Sequence, residues 1–118
     1  MMSEIALYGI ANCDTVRKAR RSLDAAGVGY RFVDVRKDGL AADRLRGWVD
    51  AVGWETLVNR RGTTWRQLPD DQREGLDAER AIALMLEHPA LIKRPVIEQD
   101  DAITVGWTPE TAARWGAA

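Results

Sequence analysis

The sequence is poor in the residues that make disulfides and metal sites. It contains one cysteine, Cys13, and one histidine, His88, among 118 residues. A single cysteine excludes an intrachain disulfide. One cysteine and one histidine are too few for a structural zinc site of the usual sulfur and nitrogen ligands. We therefore expect neither a metal nor a bound prosthetic group.

An excess of charge of one sign and long hydrophobic runs are also missing. The 17 basic residues nearly balance the 18 acidic ones, which leaves a formal net charge of -1. Without a basic surplus the chain lacks the electrostatic footprint of a nucleic-acid-binding protein. No apolar run approaches the length of a transmembrane helix, and the N-terminus lacks the basic segment and cleavage site of a secretory signal. We therefore expect a cytoplasmic protein that binds neither nucleic acid directly nor membranes.

What is present is the composition of a soluble globular protein. Hydrophobic residues make up 46% of the chain and charged residues 30%, which are ordinary proportions for a folded domain. A chain of 118 residues has the length of one domain and can bury a substantial core. We therefore predict a single domain over residues 1–118.

The first third of the chain predicts a strand, a helix and a second strand. Residues 4–10 are a short apolar run that is typical of a buried strand. Apolar residues then recur at spacings of three and four from Val16 to Ala26, and Gly27 follows as a helix stop. Residues 29–35 are rich in aromatic and β-branched side chains, as in a strand. This βαβ unit predicts parallel strands with a right-handed crossover.

The middle of the chain predicts two more helices, at residues 45–52 and 78–86, from the same apolar spacing. Residues 54–69 between them show no regular period, and Trp54 and Trp65 are interpreted there as anchors of the core.

The last quarter predicts a hairpin followed by a helix. Two short strand candidates, at residues 95–98 and 102–105, are separated by a polar turn. A final helix is expected over residues 109–115, with Thr108 as its N-cap. The predicted fold class is α/β, a mixed four-stranded sheet with helices on its faces and a helical insertion between the second strand and the hairpin.

Cys13 is the most specific candidate for a functional residue, because it lies between the first predicted strand and the first predicted helix. Ligands bind at the carboxyl ends of strands in open α/β sheets, and the N–H groups of a helix N-terminus favour the nucleophilic thiolate. The neighbouring Asp14 opposes this, since a carboxylate disfavours a second negative charge. A small buried side chain is an equally common role for a free cysteine, so position alone leaves both interpretations open.

The chain offers no second thiol to Cys13. Val16 stands where a C-x-x-C motif would have its resolving cysteine. A redox-active Cys13 would therefore need an external thiol, such as glutathione or a cysteine of another protein, to resolve its mixed disulfide.

Two basic segments are candidates for anion binding. Arg94 precedes Pro95 at the start of a predicted strand, where a cis bond is permitted and the guanidinium would project near the end of the sheet. Arg60 and Arg61 stand beside a glycine and two threonines, which would suit an oxyanion. Each segment is also typical of a solvated turn, so neither predicts a site by itself.

Five segments spread over nearly the whole chain share a pattern with one known family. In chain order they read YGIANCDT at residues 8–15, KAR at 18–20, GWETLVNRRGTTWRQLP at 53–69, MLEHPALIKRPV at 85–96 and VGW at 105–107. Together they resemble the ArsC/Spx family of thioredoxin-fold proteins, most closely its YffB-like branch, whose members are regarded as glutathione-dependent thiol reductases. The resemblance implies an ArsC-like thioredoxin fold with Pro95 as its cis-proline and an all-helical insertion over about residues 40–90.

The resemblance also implies the members of the site. Cys13 would be the redox nucleophile, and Arg94 and one arginine of the pair Arg60 and Arg61 would line an anion site beside it. Arg60 is favoured because the family motif reads Asn-Arg at that place. The two cations would offset the charge of Asp14 and help to hold the thiolate.

The chain departs from two branches of this family. Arsenate reductases of the ArsC type carry a histidine at the place of Gly9, in an H-N-P-x-C loop, and a third arginine where this chain has Trp107 and Thr108. The loss of an orienting side chain and of one cation should weaken arsenate binding, since each charge-assisted hydrogen bond contributes about 1.5–3 kcal/mol. Spx regulators often carry a C-x-x-C switch and bind RNA polymerase, and Val16 removes that switch.

The function predicted from these observations is a glutathione-dependent monothiol oxidoreductase. Glutathione would act as co-substrate, and the other substrate would be a small thiol compound or an oxidised protein. One alternative is an arsenate reductase that uses glutathione and glutaredoxin. The other is an Spx-like regulator that binds RNA polymerase without a redox switch.

Overall fold

The computed structural model describes residues 3–117, which form four strands, seven α-helices and one 3-10 turn. In chain order the elements are β1 (Ala6–Gly9), α1 (Asp14–Ala25), β2 (Arg31–Asp34), α2 (Ala42–Val52), α3 (Trp54–Leu57), α4 (Thr63–Gln67), α5 (Asp70–Arg73), α6 (Ala78–Glu87), the 3-10 turn (Pro89–Leu91), β3 (Val96–Gln99), β4 (Ala102–Val105) and α7 (Pro109–Arg114). The described chain divides into two compact units. The first comprises the residues up to Gly39 and from Arg94 onward, and the second is Leu40–Lys93.

The first unit is built on a mixed four-stranded sheet in the order β2-β1-β3-β4. β1 and β2 are parallel, and β3 is antiparallel to both β1 and β4. The predicted sheet, the parallel βαβ unit and the C-terminal hairpin are therefore confirmed. β1 lies between β2 and β3. The loop that follows β1 is therefore next to the end of β2 on one side and the start of β3 on the other.

The core of the first unit joins the helices to the two central strands. Its buried members are Leu7, Val16, Ala19, Leu23, Ile97 and Trp115. The indole Nε1 of Trp115 donates a hydrogen bond of 2.8 Å to Oγ1 of Thr104, which fastens the end of α7 to β4. Thr108 is the N-cap of α7 as predicted, because its Oγ1 accepts the N–H of Thr111 at 3.2 Å.

Helix α1 begins immediately after Cys13, as the sequence predicts. Cys13 is the N-cap, with extended backbone angles of φ -140° and ψ 123°. Its carbonyl oxygen accepts the N–H of Arg17 at 2.9 Å, which is the first hydrogen bond of the helix. The helix ends at Ala25, and Gly27 follows in the left-handed region with a φ of 73°, which glycine adopts at little cost.

The second unit is helical, and it is more regular than the sequence suggests. Residues 54–69, for which no period was predicted, contain α3 and α4. Each of these helices is four or five residues long, which is too short to display an apolar period. An isolated bridge between Val58 and Ile92 ties the end of α3 to the chain after the 3-10 turn.

The buried side chains of the second unit come mainly from its two longer helices. Leu45 and Trp48 of α2 and Ile82 and Met85 of α6 are all at most 4% exposed, and α2 contacts α6. The bounds of this unit, Leu40–Lys93, are near those expected for the insertion. That residues 1–118 act as one domain stays a prediction.

Within residues 3–117, no helix combines the length and the apolar character needed to cross a membrane.

Candidate functional site

The candidate site is centred on Cys13, which lies at the carboxyl end of β1 and at the N-terminus of α1. Cys13 is half-buried and forms no disulfide. Its position as N-cap places its side chain beside the backbone N–H groups of the first helical turn, which have no partner within the helix. The site is therefore built by the strand-to-helix junction itself.

Arg94 approaches the same junction from the chain that leads into β3, the antiparallel neighbour of β1. The peptide bond between Arg94 and Pro95 is cis. β3 runs antiparallel to β1 with Val96 opposite Tyr8, so Arg94 lies just beyond the carboxyl end of β1, where the chain turns into Cys13. From there the Arg94 side chain lowers the pKa of the thiol, by hydrogen bonding and by its positive charge. The structure thus brings Cys13, Arg94 and Pro95 together in the first unit.

The surroundings of the thiol favour its ionised form. Burial raises the pKa of Cys13, and hydrogen bonds from the backbone N–H of Val16 and from the Arg94 side chain lower it. The positive charge of Arg94 and the N–H of Thr15 act in the same direction, so the pKa lies below its ordinary value. A lowered pKa increases the fraction of nucleophilic thiolate near neutral pH.

Asp14, whose charge opposes a thiolate, is paired with a cation. Its carboxylate forms a salt bridge with Arg17 one turn further along α1, and its side chain is 96% exposed. Arg17 also donates from Nη1 to Oδ1 of Asn12 at 3.2 Å. Solvent and the Arg17 guanidinium therefore both weaken the repulsion that Asp14 exerts on Cys13.

Asp34 is a further residue at this end of the sheet, and the sequence analysis did not identify it. Its Oδ2 accepts the N–H of Ala11 at 3.0 Å, and its Oδ1 accepts the N–H groups of Arg36 and Lys37 at 2.9 Å each. Burial raises the pKa of Asp34, but these N–H groups lower it by a larger amount. The pKa of the carboxylate therefore lies below its usual value. The sequence did contain a signal for this role, because Asp34 is an acidic residue at the end of β2, the parallel neighbour of the strand β1 that leads to Cys13.

Arg60 and Arg61 belong to the second unit, where they line an open cavity of about 480 Å³. The other residues of its lining are Trp54, Glu55, Val58, Asn59 and Lys93. The Arg60 guanidinium lies 5.4 Å from the ring of Trp54 and 5.7 Å from that of Trp65. Trp54 and Trp65 are half-buried, so the interpretation of both as core anchors is incomplete: they also contact Arg60. That either arginine lines the site of Cys13 stays a prediction.

No group of three or more histidine, cysteine, aspartate or glutamate side chains within residues 3–117 is arranged to hold a metal ion. The chemistry that the described site supports is that of a thiolate beside a guanidinium.

The fold and the thiol site define a class of protein. A mixed four-stranded sheet, a cis-proline before β3 and a cysteine at the N-terminus of α1 are the features expected of an ArsC-like thioredoxin fold. Residues 8–115 match the ArsC family. The chain belongs to that family.

Individual relatives agree with this assignment. A protein of Haemophilus influenzae is 42% identical over 103 residues, which are 87% of this chain and 90% of that protein. A solved structure named YFFB protein is 44% identical with a TM-score of 0.91, covering 96% of this chain and 99% of that one. An arsenate reductase (ArsC) related protein from Brucella melitensis is 45% identical with a TM-score of 0.78, covering 95% and 93%. At a lower identity of 23%, the global transcriptional regulator Spx of Listeria innocua matches 94% of this chain and 86% of its own.

Proposed function

We propose that this protein is a glutathione-dependent monothiol oxidoreductase in which Cys13 is the catalytic nucleophile. The observation that carries the proposal is the local environment of the thiol. Burial raises the pKa of Cys13, but the donors around it, among them the N–H of Val16 and the side chain of Arg94, together lower it by a larger amount, so the net pKa is lowered. Because the sequence has no second cysteine, the proposal gives the resolving step to an external thiol.

The proposed reaction has two thiol–disulfide exchanges. First, the Cys13 thiolate attacks the glutathione sulfur of a mixed disulfide on a small molecule or protein. The S–S bond breaks, the substrate leaves as a thiolate that takes a proton from solvent, and a Cys13–glutathione disulfide forms. Second, the thiolate of another glutathione attacks the glutathione sulfur of that disulfide, which releases oxidised glutathione and regenerates the Cys13 thiolate. In the net reaction one free glutathione and the mixed disulfide become oxidised glutathione and a free substrate thiol, so the numbers of thiols and disulfides are unchanged.

Arg94 has two roles in this proposal. Its guanidinium stabilises the attacking thiolate before the reaction and the same sulfur when it becomes the leaving group in the second exchange. The N–H groups of the first turn of α1 contribute to both steps, because donors fixed in the protein need no reorganisation as charge develops. A positive charge at this place also suits a glutathione carboxylate.

The first test measures the reactivity of the thiol itself. The rate of Cys13 alkylation by iodoacetamide is followed against pH for the wild type, Arg94→Ala and Arg94→Lys. We expect an apparent pKa below that of a free thiol, about 8.5, a higher value in Arg94→Ala and an intermediate one in Arg94→Lys. Arg21→Ala on the exposed face of α1 removes the same charge at a distance from the thiol and should leave the profile unchanged.

The second test measures turnover. A peptide that carries a glutathione mixed disulfide is the substrate, and the release of oxidised glutathione is followed with a coupled reductase. Cys13→Ser should abolish the activity, and glutathione should slow alkylation of the wild type. An ordinary thiol pKa together with no protection by glutathione would overturn the proposal.

Arg60 and Arg61 are compared in the same turnover assay. The proposal assigns Arg60 to glutathione binding, so Arg60→Gln should raise the KM for glutathione at least several-fold. Arg61→Gln is the matched control, since it removes the same charge from the adjacent position. A larger effect of Arg61→Gln would transfer the role to that residue, and no effect of either would remove the pair from the proposed site.

Arsenate reduction is tested alongside, because one of the similar solved structures is described as related to arsenate reductase. Arsenate replaces the disulfide as oxidant, with glutathione and glutaredoxin as reductants. A turnover with arsenate that exceeds the turnover of the mixed disulfide would replace the proposed substrate class. A partner such as RNA polymerase, retained equally by the wild type and by Cys13→Ser in the absence of any turnover, would favour a binding function instead.

A further inference from the structure

We propose that Asp34 is a positioning residue for Cys13: by accepting the N–H of Ala11, its carboxylate fixes the cysteine loop, defined as residues 10–13, between β1 and α1. The inference rests on the proposed function for its importance to catalysis. Its geometry belongs entirely to the first unit of the structure.

Asp34 is placed for this role by the register of the two parallel strands. It is the last residue of β2 and is paired with Gly9, the last residue of β1. Beyond that pair, Val35 donates its N–H to the carbonyl oxygen of Gly9 at 2.9 Å. The Asp34 side chain then reaches the cysteine loop, where Oδ2 accepts the N–H of Ala11 at 3.0 Å. Ala11 is two residues before the thiol.

The other side of the carboxylate is held by its own turn. Oδ1 of Asp34 accepts the N–H groups of Arg36 and Lys37, both at 2.9 Å. The N–H of Asp34 donates to Oδ2 of Asp38 at 3.2 Å, and the N–H of Asp38 donates to the carbonyl oxygen of Asp34 at 2.8 Å. The carboxylate is therefore fixed on one oxygen by the turn after β2 and fixes the cysteine loop with the other.

This arrangement matters because the stabilisation of the thiolate depends on direction. Hydrogen bonds weaken steeply when the donor and acceptor are misaligned, so the N–H of Val16 and the guanidinium of Arg94 stabilise the sulfur only while the loop keeps it in place. Backbone N–H groups bound by a carboxylate make stronger hydrogen bonds than neutral pairs do. The hydrogen bond from Ala11 to the Asp34 carboxylate therefore holds the loop firmly at a position two residues before Cys13.

Charge and positioning predict opposite effects when Asp34 is neutralised. A negative charge near the thiol disfavours the thiolate, so by charge alone a neutral residue would lower the pKa of Cys13. If Asp34 acts by holding the loop, its neutralisation loosens the donors around the sulfur and the pKa of Cys13 rises. The direction of the change therefore separates the two explanations.

The principal variant is Asp34→Asn, which keeps the shape of the side chain. An amide has one acceptor oxygen in place of two, so asparagine satisfies either Ala11 or the pair Arg36 and Lys37, but not both. We expect the Cys13 pKa, measured from the pH dependence of alkylation, to rise by about half a pH unit or more, since a lost hydrogen bond is worth a fraction of a unit to a full unit. In turnover we expect a lower kcat with an unchanged KM for glutathione.

Asp38→Asn is the matched control. It removes one negative charge from the same turn, and its described hydrogen bond is to the backbone of Asp34 and not to the cysteine loop. We expect its thiol pKa to stay the same or to fall slightly. Equal changes in Asp34→Asn and Asp38→Asn, or a fall in both, would overturn the inference.

A measurement on the wild type keeps the inference testable if the variants do not fold. Amide hydrogen exchange should show the N–H of Ala11 protected, although it lies in a loop, because Asp34 binds it. Exchange of Ala11 at the rate of an unfolded peptide would overturn the inference. Failure of the proposed function is distinguishable: an enzymatically inactive protein whose thiol pKa is low, and rises in Asp34→Asn, leaves the role of Asp34 intact.

Discussion

Val16 of α1 packs directly against Gly9 of β1. A Cβ atom placed on Gly9 would lie 2.7 Å from Cγ2 and 3.0 Å from Cγ1 of Val16. Val16 is fully buried and lies in the first turn of α1, three residues after Cys13. Because Gly9 has no side chain, the first turn of α1 packs directly against the end of β1. This is the turn that begins at Cys13.

Gly9→Ala should destabilise the protein by about 1–3 kcal/mol, the usual cost of forcing extra volume into a packed core. Urea unfolding measures the loss. In the double variant Gly9→Ala/Val16→Ala the added methyl has room, so its cost should be smaller than the sum of the two single changes. Gly47→Ala is the matched control, because no atom lies within 4 Å of the added methyl and alanine stabilises an exposed helical position by about 0.5–1 kcal/mol. A neutral Gly9→Ala would contradict the close contact.

Thr104→Val should destabilise the first unit through Trp115. The indole Nε1 donates to Oγ1 of Thr104 at 2.8 Å, and Trp115 is 6% exposed. Valine keeps the shape of threonine but leaves a buried N–H without an acceptor, which costs about 1–3 kcal/mol. Thr104→Ser retains the hydroxyl, so in urea unfolding it should lose less stability than Thr104→Val. The reverse order would show that packing of the methyl group outweighs the hydrogen bond.

The sequence was informative where the physical signal is periodic or local. The spacing from Val16 to Ala26 predicted α1, and the apolar runs at residues 4–10 and 29–35 predicted β1 and β2, because burial on one face or on both imposes a repeat. The strands are shorter than those runs, β1 being Ala6–Gly9. Strand ends depend on the pairing partner, which the sequence of one strand does not contain.

The sequence was less informative where partners are distant along the chain. Asp34 and Ala11 are 23 residues apart, and only the parallel pairing of β1 with β2 brings them together. Trp54 and Trp65 were interpreted as core residues from their apolar character, which does not indicate that Arg60 lies near both rings. The pairing of Cys13 with Arg94 was expected from the family resemblance, since the Arg94 segment alone is also typical of a solvated turn, and the network that fixes the loop was not expected at all.

The lowered pKa of Cys13 also has a consequence for stability. Burial raises this pKa, but the hydrogen-bond donors, among them the N–H of Val16 and the side chain of Arg94, together lower it by a larger amount. The net change in the pKa is therefore downward. Between the folded pKa and the ordinary value of about 8.5, the unfolded chain binds the proton that the folded protein has released. Stability therefore rises with pH across this window. The contribution is complete above the unfolded pKa and is lost as the pH falls through the folded value.

The variant Cys13→Ser isolates this contribution, because serine does not titrate in this range. We expect the free energy of unfolding of the wild type, minus that of Cys13→Ser, to increase from pH 5 to pH 9, and urea unfolding at several pH values measures it. The other ionisable groups are the same in both proteins, so their contributions cancel in the difference. Cys13→Ala should give the same pH dependence with a constant offset, since serine caps a helix better than alanine does. A difference that does not change with pH would mean that folding leaves the thiol pKa where it is in the unfolded chain.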